Sequence, residues 1–289
     1  MTGRDAQPRR PRPVGPVVGG LIRSCHRGPT VAVTAFAIVL AVLAGNDAAS
    51  CALVGVAVLF GQLSIGWSND WLDAGRDAAV GRTDKPVAAG IVAIPVVETA
   101  AAVAVVATIA CSALLGWRSG AMNLVVVACG WAYNLGAKAK WWSWLPYAIA
   151  FGSLPTIATL ALPEPRLPGA WAVAAGGLLG VAGHLTNALP DLGDDERVGV
   201  RGLPHRLGAR RSLLLTAALL LLAACSIVVG PPGSAPVISW IGLGVIVVLV
   251  AASTRIALRN PASRVLFLGI IAMTAVDVVL LVVSGGRLR

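Results

Sequence analysis

The sequence predicts an all-α integral membrane protein, a bundle of about nine transmembrane helices with two Asp-rich cytoplasmic loops. Three observations predict it. Apolar residues are 57% of the 289 and charged residues only 12%, whereas about a quarter of an ordinary soluble chain is charged. Runs such as PTVAVTAFAIVLAVLAG (Pro29 to Gly45) have no polar face, which suits lipid rather than a half-wet helix. The cations also sit at alternate ends of these runs. With the N-terminus cytoplasmic, nineteen of the 23 Lys and Arg lie in inside segments, and Arg118, Arg166, Arg287 and Arg289 remain outside. That is the bias that orients loops of this length. The same placement excludes nucleic acid as a partner despite the net charge of +10, because no exposed basic domain is formed.

Taken in order, residues 1–27 are an Arg/Pro-rich cytoplasmic segment and residues 28–289 a nine-helix domain. The Arg-rich start followed by an apolar run has the outline of a signal peptide, but the many later spans make that run a retained first helix. Spans are expected near 28–45, 50–68, 87–115, 121–136, 143–162, 170–188, 212–229, 235–254 and 264–283, several close to the ~20 residues that cross a ~30 Å core. Breaker-rich GNDAAS, PEPRLPG and GPPGSAP are the short outside turns between antiparallel neighbours. Trp141, Trp142 and Trp144 fall beside an inside boundary, where indoles lodge among headgroups. The five cysteines lack CxxC or CxxH spacing and read as packing residues, not a disulfide or zinc framework.

The acids break the apolar monotony. Eight of thirteen lie in two inside segments: Asp70, Asp73, Asp77 and Asp84 after the second span, and Asp191, Asp194, Asp195 and Glu196 after the sixth. Asn69, Asp73 and Asp77 step by four, and so do Asn187, Asp191 and Asp195. If each span continues as a helix, each triplet lies along one face. Aligned carboxylates repel there unless a cation sits between them. Hard oxygen donors at loose spacing suit magnesium, which takes one or two protein carboxylates and fills its other positions with water and phosphate. The interleaved Arg76, Arg82, Lys85, Arg197 and Arg201 are suited to phosphate oxygens. Such a layer at the mouth of an apolar bundle describes a receptor for a diphosphate carrying a lipid tail. An EF-hand is excluded, since the first segment lacks a central Gly and terminal Glu at the required spacing.

At these residues the chain resembles the UbiA family of intramembrane prenyltransferases. Its first motif, Asn-Asp-x-x-Asp-x-x-x-Asp followed by Arg-Thr and a basic residue before Pro, is matched by Asn69, Asp70, Asp73, Asp77, Arg82, Thr83, Lys85 and Pro86. Its second, Asp-x-x-x-Asp with a following Gly, basic residue and Leu-Gly, is matched by Asp191, Asp195, Gly199, Arg201 and Gly208. Tyr133, Lys138 and Lys140 are similar to the element between them. The departures are Lys85 where Arg-Pro is usual, one residue fewer before Pro86, and Ala137-Lys138 for a Lys-Arg pair.

The resemblance implies magnesium-dependent transfer of a prenyl group from a polyprenyl diphosphate to an aromatic or other hydrophobic acceptor within the bilayer. It implies two magnesium ions held by Asp70, Asp73, Asp77, Asp191 and Asp195. Diphosphate would be bound by Asn69, Arg82, Lys85, Lys138, Asn187 and Arg201. Tyr133, Trp67 or Trp71 would offer a π-face to the allylic cation, and His184 a base or an acceptor contact. The expected setting is the plasma membrane, with the N-terminus and active site cytoplasmic. A membrane terpene cyclase shares the same ionisation. A CDP-alcohol phosphotransferase is disfavoured because Ala74 follows Asp73 and the second acid cluster lies over a hundred residues away. A transporter is disfavoured because the spans hold only Glu98 and Asp277 as acids.

Overall fold

The structure, a computed structural model, describes residues 14–259, 264–284 and 288. Among the described residues every regular element is helical: α1 Val14–Ser24, α2 Arg27–Ala44, α3 Ala48–Ala79, α4 Ile94–Leu114, α5 Trp117–Asn134, α6 Leu145–Leu160, α7 Ala170–Ala188, α8 Leu192–Arg197, α9 Leu203–Val229, α10 Val237–Arg259 and α11 Arg264–Ser284. Short 3-10 turns stand at Ala137–Ala139 and Leu189–Asp191. Nine of these helices have sixteen residues or more, one for each expected run. Six candidate spans are long and apolar enough to cross a bilayer, within α2, α3, α4, α9, α10 and the stretch Ala170–Arg197, while α6 and Leu268–Val283 of α11 are shorter apolar helices.

Local chemistry sets the ends. Gly45, at φ 90°, closes α2 with its N–H on Val42 O, a left-handed position that glycine takes without a Cβ penalty. Asp47 caps α3 by accepting the Ser50 N–H at 2.7 Å. From that cap α3 runs 32 residues, about 48 Å at 1.5 Å per residue, well beyond a ~30 Å hydrocarbon core. Its last three turns therefore carry Asn69, Asp73 and Asp77 past the apolar part.

Several expected boundaries shift. The first Asp-rich segment is not a loop through Asp77, because α3 holds its helix to Ala79 and only Arg82–Pro86 follow as turns. The third run begins as turns through Pro86 and Gly90 (φ 70°), so α4 starts at Ile94 rather than 87. The loop expected at 189–211 is largely helical: α9 starts at Leu203 and kinks at Gly208 (φ 74°). Of the N-terminal segment, residues 14–24 form α1, and residues 1–13 lie outside the described residues.

Packing follows the chain order, α2 on α3, α3 on α4 and α5, α5 on α6, α6 on α7, and α7 on α9, with α9, α10 and α11 packed on one another. Helix α2 also meets α6, so α2, α3, α5, α6 and α7 surround one interior space. Lipid offers little hydrophobic drive between helices, so close approach and buried polar bonds matter more. Pro155, inside α6, has no N–H for the Phe151 carbonyl. Gly176 of α7 lies against that carbonyl so closely that a Cβ there would sit 2.5 Å from its oxygen. Ser119 Oγ donates to Ile157 O at 2.9 Å, and Asn123 Nδ2 to Ser112 Oγ at 2.9 Å. Outward-facing Val103, Val106, Leu222 and Val248 are exposed, as a lipid-facing belt requires.

Candidate active site

The long α3 delivers the first acids. Asp73 takes Lys138 Nζ and the Arg76 guanidinium on its carboxylate and receives Asn69 Nδ2 at 3.0 Å. Asn69 also donates to Asn134 Oδ1 at 3.2 Å. Asn134 in turn donates to Ser68 Oγ at 2.8 Å and Ile65 O at 2.9 Å, pinning the end of α5 to α3 at the level of the motif. Asp70, one residue on from Asn69, is 1% exposed. Its nearest cation is Lys85, with Nζ 3.6 Å from Oδ1. Lys85 Nζ is also 3.0 Å from His26 Nε2.

The second acidic segment does not lie along one continuous helix. Pro190 lacks an N–H, and the chain leaves α7 through the 3-10 turn Leu189–Asp191 before α8 begins. Asn187, Asp191 and Asp195 thus sit on three different elements. Asp191 accepts Arg82 at 3.0 Å, while the same guanidinium grips Asp84 through two bonds of 2.9 and 3.0 Å. Arg82 therefore ties the first segment to the second. Asp195 Oδ2 faces His205 Nε2 at 3.4 Å, and Asp194 pairs with Arg197 at 3.2 Å. A small polar pocket of about 20 Å³ joins Asp73 and Asp77 to Asp194 and Asp195, with Arg76, Arg82 and Lys138 in its walls. Arg201 is exposed and does not line this pocket; its carbonyl accepts Arg206 Nε at 3.2 Å.

Cations are interleaved with the acids in this layer. Burial lowers the Lys138 ammonium pKa, and the Asp73 carboxylate opposes the shift. The hydrogen-bonded Arg82 holds the Asp84 carboxyl below its usual range. Burial, with Lys85 alongside, lowers His26 to about 4, partly offset by Asp70, so its imidazole is neutral near pH 7. The acids are not fully satisfied. Both Asp70 oxygens and Asp77 Oδ2 are buried without a hydrogen-bond partner. Among the described residues no three acids, histidines or cysteines already form a metal cluster. Magnesium needs only one or two protein carboxylates beside water and phosphate. Asp77, with an orphaned oxygen, shares the polar pocket with Asp73, Asp194 and Asp195, a donor set that fits that ion, while Asp70 and Asp191 lie outside its lining.

Above this layer lies a cavity of about 180 Å³ between α2, α3, α5, α6 and α7. Asn69, Asn134 and Asn187 line its polar end, and Val33, Ile65, Val126 and Leu154 its apolar walls. Tyr133 and Tyr147 also line it, their rings 5.1 Å apart edge to face. His184 stands behind them, 1% exposed, its ring 5.6 Å from Tyr133 and its Nε2 3.0 Å from Ser143 Oγ. It is a packing partner of the tyrosines and does not reach the cavity wall. Trp67 and Trp71 do not line the cavity either. Trp67 Nε1 donates to Leu21 O at 2.9 Å, fastening α1 to α3, and Trp71 packs edge-on against Trp131 at 6.4 Å.

Sequence reasoning passed over His26, Asn134, Asp194 and His205. Asp194 stood in plain view beside Asp195, but the four-residue step drew attention to its neighbour. His26 and Asn134 carry no local pattern, since their partners are distant in the chain, and His205 stands in no motif with Asp195, ten residues before it.

The family profile described as the UbiA prenyltransferase family matches residues 30–275. No curated protein sequence matches the chain. A UbiA homolog from Archaeoglobus fulgidus bound to GPP and Mg2+ is similar in structure, with a TM-score of 0.68 at 14% identity, covering 92% of this chain and 98% of that one. An apo UbiA homolog from Aeropyrum pernix K1 has a TM-score of 0.65 at 18% identity, covering 90% and 96%. A digeranylgeranylglyceryl phosphate synthase structure has a TM-score of 0.67 at 15% identity, covering 94% and 98%. At these identities the structures speak for a shared fold.

Proposed function

The chain belongs to the UbiA prenyltransferase family, and from that membership we propose that it transfers a prenyl group from a polyprenyl diphosphate to a hydrophobic acceptor inside the membrane. One observation carries this reading. Two acidic segments and their cations meet in a polar pocket beside an apolar cavity, so a diphosphate and its hydrocarbon tail find matching surroundings a few residues apart.

In this reading the tail lies in the cavity among Val33, Ile65 and Leu154. Asn69 and Asn187 mark the junction with the diphosphate. Asp70, Asp73, Asp77, Asp191 and Asp195 would hold magnesium, Asp73, Asp77 and Asp195 from the pocket wall with Asp194 as an added donor there, and Asp70 and Asp191 from outside its lining. Bound magnesium neutralises charge on the diphosphate, as in known metal-assisted phosphate chemistry. Lys138, Arg76 and Arg82 supply preorganised positive charge where the leaving group gains electrons, the larger share of such catalysis. The carbon–oxygen bond breaks with its electron pair going to diphosphate. The acceptor then bonds to the allylic carbon and gives up a proton. Tyr133, in the cavity wall, would offer its ring to the cation, a contact worth about a kcal/mol or two in a dry site. The apolar walls keep out water that would otherwise capture the cation. Arg201 is left out of these contacts, since it lies away from the pocket.

Purified protein in nanodiscs with magnesium and a panel of prenyl diphosphates tests the reading. Asp73→Ala and Asp191→Ala are expected to abolish magnesium-dependent diphosphate release while the protein still inserts. Unchanged turnover in either variant overturns the metal assignment. Product analysis without acceptor distinguishes transfer from cyclisation of the donor.

A further inference from the structure

His26 is the only non-glycine residue at positive φ among the described residues, at 53°, a region most side chains avoid at some cost. It forms the elbow between α1 and α2, and that elbow is held from several sides. The Cys25 backbone lies on Gly66 of α3 so closely that a Cβ there would come within 2.6 Å of the Cys25 carbonyl carbon. Thr30 Oγ1 donates to Cys25 O at 2.7 Å, Trp67 Nε1 to Leu21 O at 2.9 Å, and Arg23 reaches Asp84 O at 3.5 Å. The strained residue is therefore fixed against the first acidic segment.

What the elbow presents there is an imidazole. His26 lines the apolar cavity, and its Nε2 lies 3.0 Å from Lys85 Nζ, which also stands 3.6 Å from Asp70. An ammonium has only protons to offer, so Lys85 donates and the ring nitrogen accepts. A neutral acceptor orients the ammonium without cancelling its charge. A carboxylate in the same place would cancel it.

We propose that His26 is a positioning residue for the donor diphosphate, holding the Lys85 ammonium at the seam between the cavity and the acidic layer. The inference rests on the proposed use of a prenyl diphosphate and on the family motif's implication that Lys85 binds it. It makes the α1–α2 elbow part of the binding machinery rather than a surface attachment.

Equilibrium binding of an unreactive prenyl thiolodiphosphate, with magnesium, to the full chain in nanodiscs tests it. His26→Asn tolerates left-handed backbone, but its amide ends short of Lys85. His26→Gln reaches as far as Nε2 and restores an acceptor. Lys85→Met and His26→Asn are each expected to weaken binding about tenfold, the worth of one charged hydrogen bond. The double variant is expected to bind no more weakly than Lys85→Met alone, and His26→Gln to recover most of the loss. Wild-type binding by His26→Asn beside a weakened Lys85→Met overturns the inference and leaves the proposed function standing. Losses that multiply in the double variant also overturn it, because they show His26 acting without Lys85. Wild-type binding by Lys85→Met overturns the assignment of Lys85 to diphosphate, and the inference with it.

Discussion

At the scale of single residues, the acids are read most easily and their partners least. Asp70, Asp73 and Asp77 stand out because carboxylates are scarce in so apolar a chain. Which cation answers which acid depends on contacts such as Lys138 with Asp73, 65 residues apart, or Arg82 with Asp191, 109 apart. Arg201 shows the converse: it fits a motif by position but lies exposed. His26 also makes a pH prediction. Its folded pKa of about 4 lies below the ordinary 6.5, so the unfolded chain binds this proton first as pH falls. The histidine's contribution to stability is complete above about pH 6.5 and is lost progressively toward about pH 4. The thermal midpoint of the wild type, followed from about pH 7 to about pH 4, is expected to fall more steeply than that of His26→Gln. Parallel curves would show that His26 takes up its proton equally in both states.

At the scale of elements, hydropathy finds runs but not the breaks between them. It places α2 and α7 to within a residue or so, because those helices end where the apolar character ends. It misses α1, whose mostly apolar run of eleven residues is too short to read as a span, and the first turns of α9, where polar sequence is helical because neighbouring elements pack against it. The α6–α7 pair shows how tightly such elements are matched. Gly176→Ala must push a Cβ against the Phe151 carbonyl, and overpacking of this kind costs about 1–3 kcal/mol. Its thermal midpoint in detergent is expected to drop, and donor affinity with it, because α7 carries Asn187 to the cavity. Gly183→Ala is the control on the same helix. A Cβ there meets nothing within 4 Å, so the better helix propensity of alanine is expected to leave stability equal or up to about 1 kcal/mol higher. Equal midpoints for the two variants would remove the close α6–α7 contact from the account.

At the scale of the whole molecule, this is a multi-pass integral membrane protein, and its cation bias predicts an orientation. We expect all nine long helices to cross the bilayer, α5, α6 and α11 included, with the acidic layer cytoplasmic. Cysteines introduced at Arg197 and Arg118 test this by labelling with an impermeant maleimide in sealed vesicles of known sidedness. Arg197→Cys is expected to label from the cytoplasmic side and Arg118→Cys from the opposite one; labelling of both from one side would refute the topology. Membrane class and the runs that become the nine long helices follow from the sequence alone, because hydrophobicity partitions between oil and water segment by segment. The tertiary structure alone decided that Arg82 bridges two motifs 109 residues apart, that Tyr133 rather than Trp67 lines the cavity, and that His26 stands over Lys85. Each depends on the angle at which one helix meets another, and packing between distant segments sets that angle.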